Sequence, residues 1–154
     1  MQTVEVPMEA LIQVIRLQLE TAGQSDLTVT GCSMLPMLRQ YRDSVRLVPV
    51  DGKLKPGDIA LFQRDDGSYV LHRVISLTAD GYRFCGDNQA VLEEVSHGQL
   101  VARAAGYTKK GKVRTMNGLG YRLYRWSRVK LFFTRKYDIA IRRRLGRLRR
   151  KLFK

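Results

Sequence analysis

The chain has 154 residues, of which 44% are hydrophobic and 27% charged, and its formal net charge is +14. This length suits one domain with a real core and is too short for two independent domains. No run approaches the roughly eighteen apolar residues of a membrane-spanning helix, and the start of the sequence lacks the features of a signal peptide. We therefore expect a cytoplasmic protein, either free or peripheral at a membrane surface.

The charge is distributed unevenly along the chain. Up to Gly106 there are 10 Lys or Arg and 13 Asp or Glu, whereas the remaining residues contain 18 Lys or Arg and the single acid Asp138. A mildly acidic segment is thus followed by a strongly basic one. Such a segment indicates an anionic partner, either a membrane surface or nucleic acid.

The first periodic stretch predicts an amphipathic helix over residues 7–21. Pro7 suits its first turn and Gly23 its end. The apolar residues recur at helical spacing: Met8, Leu11, Ile12, Ile15 and Leu19. We assign residues 1–26 to this N-terminal segment and favour packing on the domain over a membrane role.

The middle of the chain reads as a series of short strands. Asp-Gly pairs separate several apolar runs, and this dipeptide is a strong hairpin signal. The sequence therefore predicts a mainly β domain of antiparallel hairpins over residues 27–106, with helices only at the ends. A short β run at 27–30 is followed by predicted strands at 45–50, 59–63, 69–77, 82–85 and 100–104.

Residues 107–154 form a basic tail in which apolar side chains alternate with Arg and Lys. The tail begins with a basic turn and a Gly-rich linker, and one or two amphipathic helices follow that are too polar to span a membrane. Its apolar stripe consists of Ile141, Leu145, Leu148 and Leu152. This stripe either enters an anionic membrane surface or docks on the β domain. Nucleic acid is less favoured, because it would not need the stripe.

The chemistry-bearing residues lie in three short motifs. In Gly31-Cys32-Ser33-Met34-Leu35-Pro36, small residues and a proline hold Ser33 in a tight turn. A serine nucleophile needs a base within hydrogen-bond reach, and the run Val70-Leu71-His72-Arg73-Val74-Ile75 contains a histidine. Strand alternation puts His72 on the same face as the two valines. The third motif is Gly86-Asp87-Asn88.

Four motifs in this order resemble those of the type I signal peptidases. They read Gly-x-Ser-Met-x-Pro, Gly-Asp-Ile-Ala-Leu-Phe, Val-Leu-His-Arg-Val-Ile and Gly-Asp-Asn, and they cover residues 27–106. The likeness extends to the superfamily shared with the self-cleaving SOS-response repressors. A histidine in the third motif is similar to the archaeal and endoplasmic-reticulum branch. The resemblance implies a signal-peptidase-like β domain that cleaves peptide or precursor-protein substrates after small residues.

The same resemblance implies roles for individual residues. Ser33 would be the nucleophile and His72 the general base, without a cofactor or metal ion. Met34 and Leu35 would line the substrate cleft or fill the core behind the serine. Asp87 has two open interpretations: its carboxylate orients His72 through the second ring nitrogen, or it is a structural turn residue that caps backbone amides or pairs with Arg73.

A non-enzymatic interpretation also stays open. In it the β domain keeps the fold, the serine and histidine are idle, and the tail binds membrane or nucleic acid. Neither the natural substrate nor the cleavage site can be predicted from these motifs.

Overall fold

The structure, a computed structural model, describes residues 7–152 and leaves out the side-chain surroundings of residues 143, 146 and 148–152. The fold is mainly antiparallel β with helices at both ends, which confirms the predicted class. The helices are α1 (Met8–Ala22), α2 (Leu119–Lys130) and α3 (Arg135–Leu152). The strands are β1 (Ser25–Thr28), β2 (Ser44–Val48), β3 (Ile59–Gln63), β4 (Tyr69–Leu77), β5 (Gly81–Cys85), β6 (Glu93–Ser96), β7 (Leu100–Lys109) and β8 (Lys112–Thr115).

All eight strands belong to one sheet with the order β1-β2-β7-β3-β4-β5-β6, and β8 pairs with β7. The strand predicted to end at residue 104 continues to Lys109 and turns into β8, so the sheet extends into the segment assigned to the tail. Lys110 and Gly111 both have positive φ, as a two-residue hairpin turn requires. Strands β6 and β8 were not predicted, because both are short and rich in charged residues.

Two hydrophobic cores lie on opposite faces of the sheet. The first core receives α1, whose buried Ile12 and Ile15 pack against β3 and its neighbours, as favoured from the sequence. The second core contains Phe62, Val74 and the aromatic residues of β5. Strand alternation divides β3 and β4 between the two cores, so neighbouring residues of β4 face different environments.

The tail helices dock through residues other than the predicted stripe. Tyr121 of α2 is buried in the first core, and Arg135 and Ile139 at the start of α3 are buried as well. Ile141 and Leu145 of the stripe are exposed, whereas Leu148 and Leu152 lie outside the described side chains. Over residues 7–152, no helix is long and apolar enough to cross a membrane.

Candidate active site

Ser33 lies half-buried in the turn after β1, at an apolar cleft of about 140 Å³. Met34 anchors the turn because its side chain is buried in the first core. Within the described chain, the Ser33 N–H donates no hydrogen bond, so it is free to stabilise a developing oxyanion. The apolar cleft lining includes Met8, Leu27, Val29, Met34, Leu61 and Leu71. Leu35 is half-buried and does not line this cleft.

The Ser33 turn meets the sheet at Gly86. The backbone N–H of Asn88 donates to the Ser33 carbonyl oxygen at 2.7 Å. Gly86 directly follows Cys85, the last residue of β5, which pairs with Arg73 of β4. A Cβ at Gly86 would be only 3.0 Å from the Ser33 Cβ and 2.8 Å from its carbonyl oxygen. Glycine is therefore required here to admit the serine turn.

The Ser33 turn thus contacts the residue that follows β5, and β5 pairs with β4, the strand that carries His72. In the described structure Ser33 Oγ makes no hydrogen bond to His72, and such bonds often tighten only when substrate binds.

His72 is buried on the second-core side of β4, with Phe62 packed edge-on at 6.0 Å between ring centroids. Its Nδ1 lies 2.9 Å from Oε1 of Glu93. The oxygen lies off the direction of the ring N–H, so Nδ1 and the carboxylate are close without a well-aligned hydrogen bond. Glu93 is in turn held by two hydrogen bonds from Arg64, at 2.5 and 2.9 Å.

Sequence reasoning missed Glu93 because two strand pairings separate it from His72. β6 was not predicted as a strand, and only its pairing with β5 sets Glu93 opposite Phe84, on the His72 side of the sheet. The one available signal was a carboxylate within the chain segment after Gly86-Asp87-Asn88. That signal does not distinguish Glu93 from Glu94.

Burial lowers the pKa of His72 below its ordinary value of 6.5, and the opposing effect of Glu93 does not restore it. Burial would raise the pKa of Glu93, but Arg64 and His72 outweigh it and hold that pKa below its usual range. Near neutral pH, a neutral imidazole therefore faces a carboxylate. With the ring proton on Nδ1, the nitrogen beside Glu93, Nε2 keeps its lone pair and can accept a proton.

Asp87 pairs with Arg73 and does not contact His72 Nδ1, which distinguishes its two interpretations. Its carboxylate receives hydrogen bonds from Arg73 at 2.8 and 2.7 Å and from the Tyr124 hydroxyl at 2.9 Å. Glu93, and not Asp87, is the carboxylate at Nδ1 of His72. The interpretation in which Asp87 orients His72 is therefore wrong. Asp87 binds Arg73, whose side chain lies on the opposite face of β4 from His72. The alternative pairing with Arg73 is present.

The Arg73 and Asp87 side chains form a fully buried ion pair. Arg73 also donates to the Gly57 carbonyl and the Tyr121 hydroxyl, so its guanidinium is well supplied with acceptors. Burial would raise the pKa of Asp87, but Arg73 outweighs it, and the pKa stays below its usual range.

The tail also reaches the site through Arg135. Its Nη1 donates to the Gly86 carbonyl at 2.8 Å, and burial lowers the pKa of this guanidinium. Sequence reasoning missed Arg135 because nothing in its local pattern separates it from the other cations of the tail. The loop that meets Ser33 is therefore contacted by α2 through Tyr124 and by α3 through Arg135.

A scan against protein-family models found no match, and searches of curated proteins and of solved structures found none either. The resemblance to the type I signal peptidases therefore stays a prediction that rests on the four motifs. The contact of the Ser33 turn with Gly86 and the contact of His72 with Glu93 are separate, structural observations.

Proposed function

We propose that this chain is a serine endopeptidase with Ser33 as nucleophile and His72 as general base. The observation that carries the proposal is the contact of the Ser33 turn with Gly86 at the end of β5, together with a buried histidine on the paired strand β4 whose Nδ1 faces the Glu93 carboxylate. A nucleophile, a base and a group that orients the base are the three parts that such catalysis needs. Glu93 takes the third part as a positioning residue.

The proposed reaction proceeds through an acyl-enzyme. Ser33 Oγ attacks the carbonyl carbon of a peptide bond while Nε2 of His72 takes the hydroxyl proton. The free N–H of Ser33 stabilises the oxyanion, and Glu93 stabilises the imidazolium that forms. His72 then gives its proton to the leaving amine. Water, activated by the same imidazole, releases the acyl group and restores the serine.

The substrate side of the proposal is an extended peptide or precursor protein cut after a small residue. Support comes from the narrow apolar cleft at Ser33, which Met34 helps to line. The predicted contact of Leu35 with substrate has no such support. A cytoplasmic location belongs to the same proposal and agrees with Cys32 and Cys85 both being free thiols.

A serine-directed probe tests the proposal. We expect a fluorophosphonate to add once per chain, at Ser33, and a library of peptides with small residues to be cleaved. Ser33→Ala should abolish both, and His72→Ala should slow cleavage by about 10²–10⁴-fold. His97→Ala is the matched control because His97 is the other histidine of the chain and is exposed.

Two outcomes would contradict the proposal that this chain is a serine endopeptidase. One is cleavage at the wild-type rate by a folded Ser33→Ala protein, which would remove Ser33 from the chemistry. The other is a folded wild-type chain that neither reacts with the probe nor cleaves any peptide. That result would favour the non-enzymatic interpretation.

A further inference from the structure

Helix α2 exposes an apolar stripe on the side that faces away from the domain. Its inner side is defined by Tyr121, which is buried, and Tyr124, which contacts Asp87. Leu119, Leu123 and Trp126 recur at helical spacing about half a turn away and are all exposed. A helix that docks through one face thus presents a second apolar face with no partner in the described chain.

Helix α3 repeats this pattern. Arg135 and Ile139 are buried at its start, whereas Tyr137, Ile141 and Leu145 follow one another at a spacing of four residues and are exposed. Side chains four apart form a continuous stripe on a helix. The two tail helices therefore both turn apolar side chains towards solvent. Between them, Phe133 is also exposed.

Cations surround these stripes and are not neutralised by the protein. Asp138 is the only acidic residue after Gly106, and it already pairs with Arg128 and Arg142. Five exposed cations of α2 and α3 make no ion pair with any described residue: Arg122, Lys130, Lys136, Arg144 and Arg147. The exposed faces of α2 and α3 thus each combine unpartnered apolar side chains with uncompensated positive charge.

We propose that the outward faces of α2 and α3 bind the surface of an anionic lipid bilayer. Amphipathic helices rich in Lys and Arg, with Trp, Phe and Leu on the other face, lie at the boundary between headgroups and acyl chains. Apolar side chains of the stripes enter that boundary, and the neighbouring cations contact lipid phosphates. Each Lys or Arg held near such a surface strengthens binding about fivefold.

The aliphatic residues favour lipid over nucleic acid. Exposed aromatic side chains such as Trp126 could stack on bases, and the cations could contact phosphates of either partner. Leu119, Leu123, Ile141 and Leu145 neither stack nor donate hydrogen bonds, whereas acyl chains bury them favourably. This proposal does not depend on the peptidase proposal, because none of its residues takes part in the reaction described above.

Trp126 supplies a direct probe, since it is the only tryptophan of the chain and is 55% exposed. The full chain is mixed with phosphatidylcholine vesicles that contain roughly one-third phosphatidylserine, an anionic leaflet lipid. We expect the Trp126 emission to shift to the blue and to be quenched by brominated acyl chains. Neutral vesicles should bind more weakly, and added salt should weaken the anionic binding.

Leu123→Glu should reduce vesicle binding by roughly tenfold or more, since it places a charge where an apolar side chain is buried. Leu17→Glu is the matched control: both leucines are helical, with exposed fractions of 62% for Leu123 and 60% for Leu17. Because both sites are exposed, folding should be kept, which circular dichroism verifies. Ile141→Glu tests α3 in the same way.

Three results would overturn the proposal. Unchanged Trp126 emission and no sedimentation with anionic vesicles would exclude a lipid surface. Equal losses of vesicle binding for Leu17→Glu and Leu123→Glu would show that the α2 stripe contributes no more to binding than another exposed leucine. Tighter binding to a DNA or RNA duplex than to anionic vesicles at the same salt concentration would assign the surface to nucleic acid.

Discussion

Two neighbouring residues of β4, His72 and Arg73, lie on opposite faces of the sheet, and each faces a carboxylate. Arg73 and Asp87 are both fully buried, and the aspartate oxygens accept three hydrogen bonds from Arg73 and Tyr124. His72 is buried too, but Glu93 stays partly exposed and Nδ1 lacks a well-aligned partner. One cluster is complete and the other is not.

The difference between the two pairs indicates that Arg73–Asp87 stabilises the fold and that His72–Glu93 is suited to chemistry. A buried ion pair whose hydrogen bonds are all made has nothing to offer a substrate, and breaking it destabilises the fold. A buried histidine that keeps one nitrogen free, beside a partly exposed carboxylate, can change its protonation state. The Arg73 side of β4 should therefore respond to mutation in stability and the His72 side in activity.

The largest effect on stability is expected for Arg73→Met. Asp87 would be left charged and buried without its partner, which costs about 3–5 kcal/mol of unfolding free energy. Urea denaturation measures the loss, and Arg83→Met is the control because Arg83 and Glu94 form an exposed pair. The double variant Arg73→Met/Asp87→Asn should recover part of the stability. No recovery would refute the ion-pair account.

A smaller effect is expected for Gly86→Ala. The new methyl group would meet the Ser33 carbonyl oxygen at 2.8 Å, and relief of that overlap should cost about 1–3 kcal/mol. It should also shift Ser33 from His72 and lower activity more than stability. Gly98→Ala is the matched control, since nothing lies within 4 Å of its Cβ position. Equal behaviour of the two variants would disprove the close approach.

Glu93→Gln tests the His72 side of β4. The Glu93 carboxylate raises the pKa of His72, so its removal should move the acid limb of the pH–rate profile to lower pH. Turnover should fall roughly tenfold, equivalent to about 1.4 kcal/mol, because the imidazolium loses its counter-charge. Glu94→Gln, one residue on and exposed, should change neither quantity. A shift of the limb to higher pH would contradict the assignment.

The smallest expected effect is the pH dependence of stability that His72 contributes. Its folded pKa is below the ordinary 6.5, so the unfolded chain binds the proton first. Stability should fall as pH drops below about 6.5, by at most about 1.4 kcal/mol per pH unit. His72→Asn should lessen this fall, measured by urea denaturation between pH 7 and 5, whereas His97→Asn should not. An unchanged slope in His72→Asn would argue against a neutral buried imidazole.

Local patterns predicted most of the sheet but only part of the site. Asp-Gly turns located the hairpins around β4, and strand alternation put His72 and Arg73 on different faces. Glu93 could not be found this way, because its place beside His72 depends on a short charged strand pairing across the sheet. The two interpretations of Asp87 differ in the face of β4 on which its carboxylate lies, and the local sequence does not determine that face. Such choices are tertiary, not local.

The contacts of Asp87 and Gly86 with the tail also have a consequence for synthesis on the ribosome. Tyr124 follows Asp87 by 37 residues, and Arg135 follows Gly86 by 49. Chains emerge from their N-terminus, so the serine turn, the histidine strand and their loop leave the ribosome well before these two side chains. A nascent chain can pair its strands early, but its site loop gains these two supports only after α2 and the start of α3 have been synthesised. We expect full activity to appear late, after the β sheet has formed.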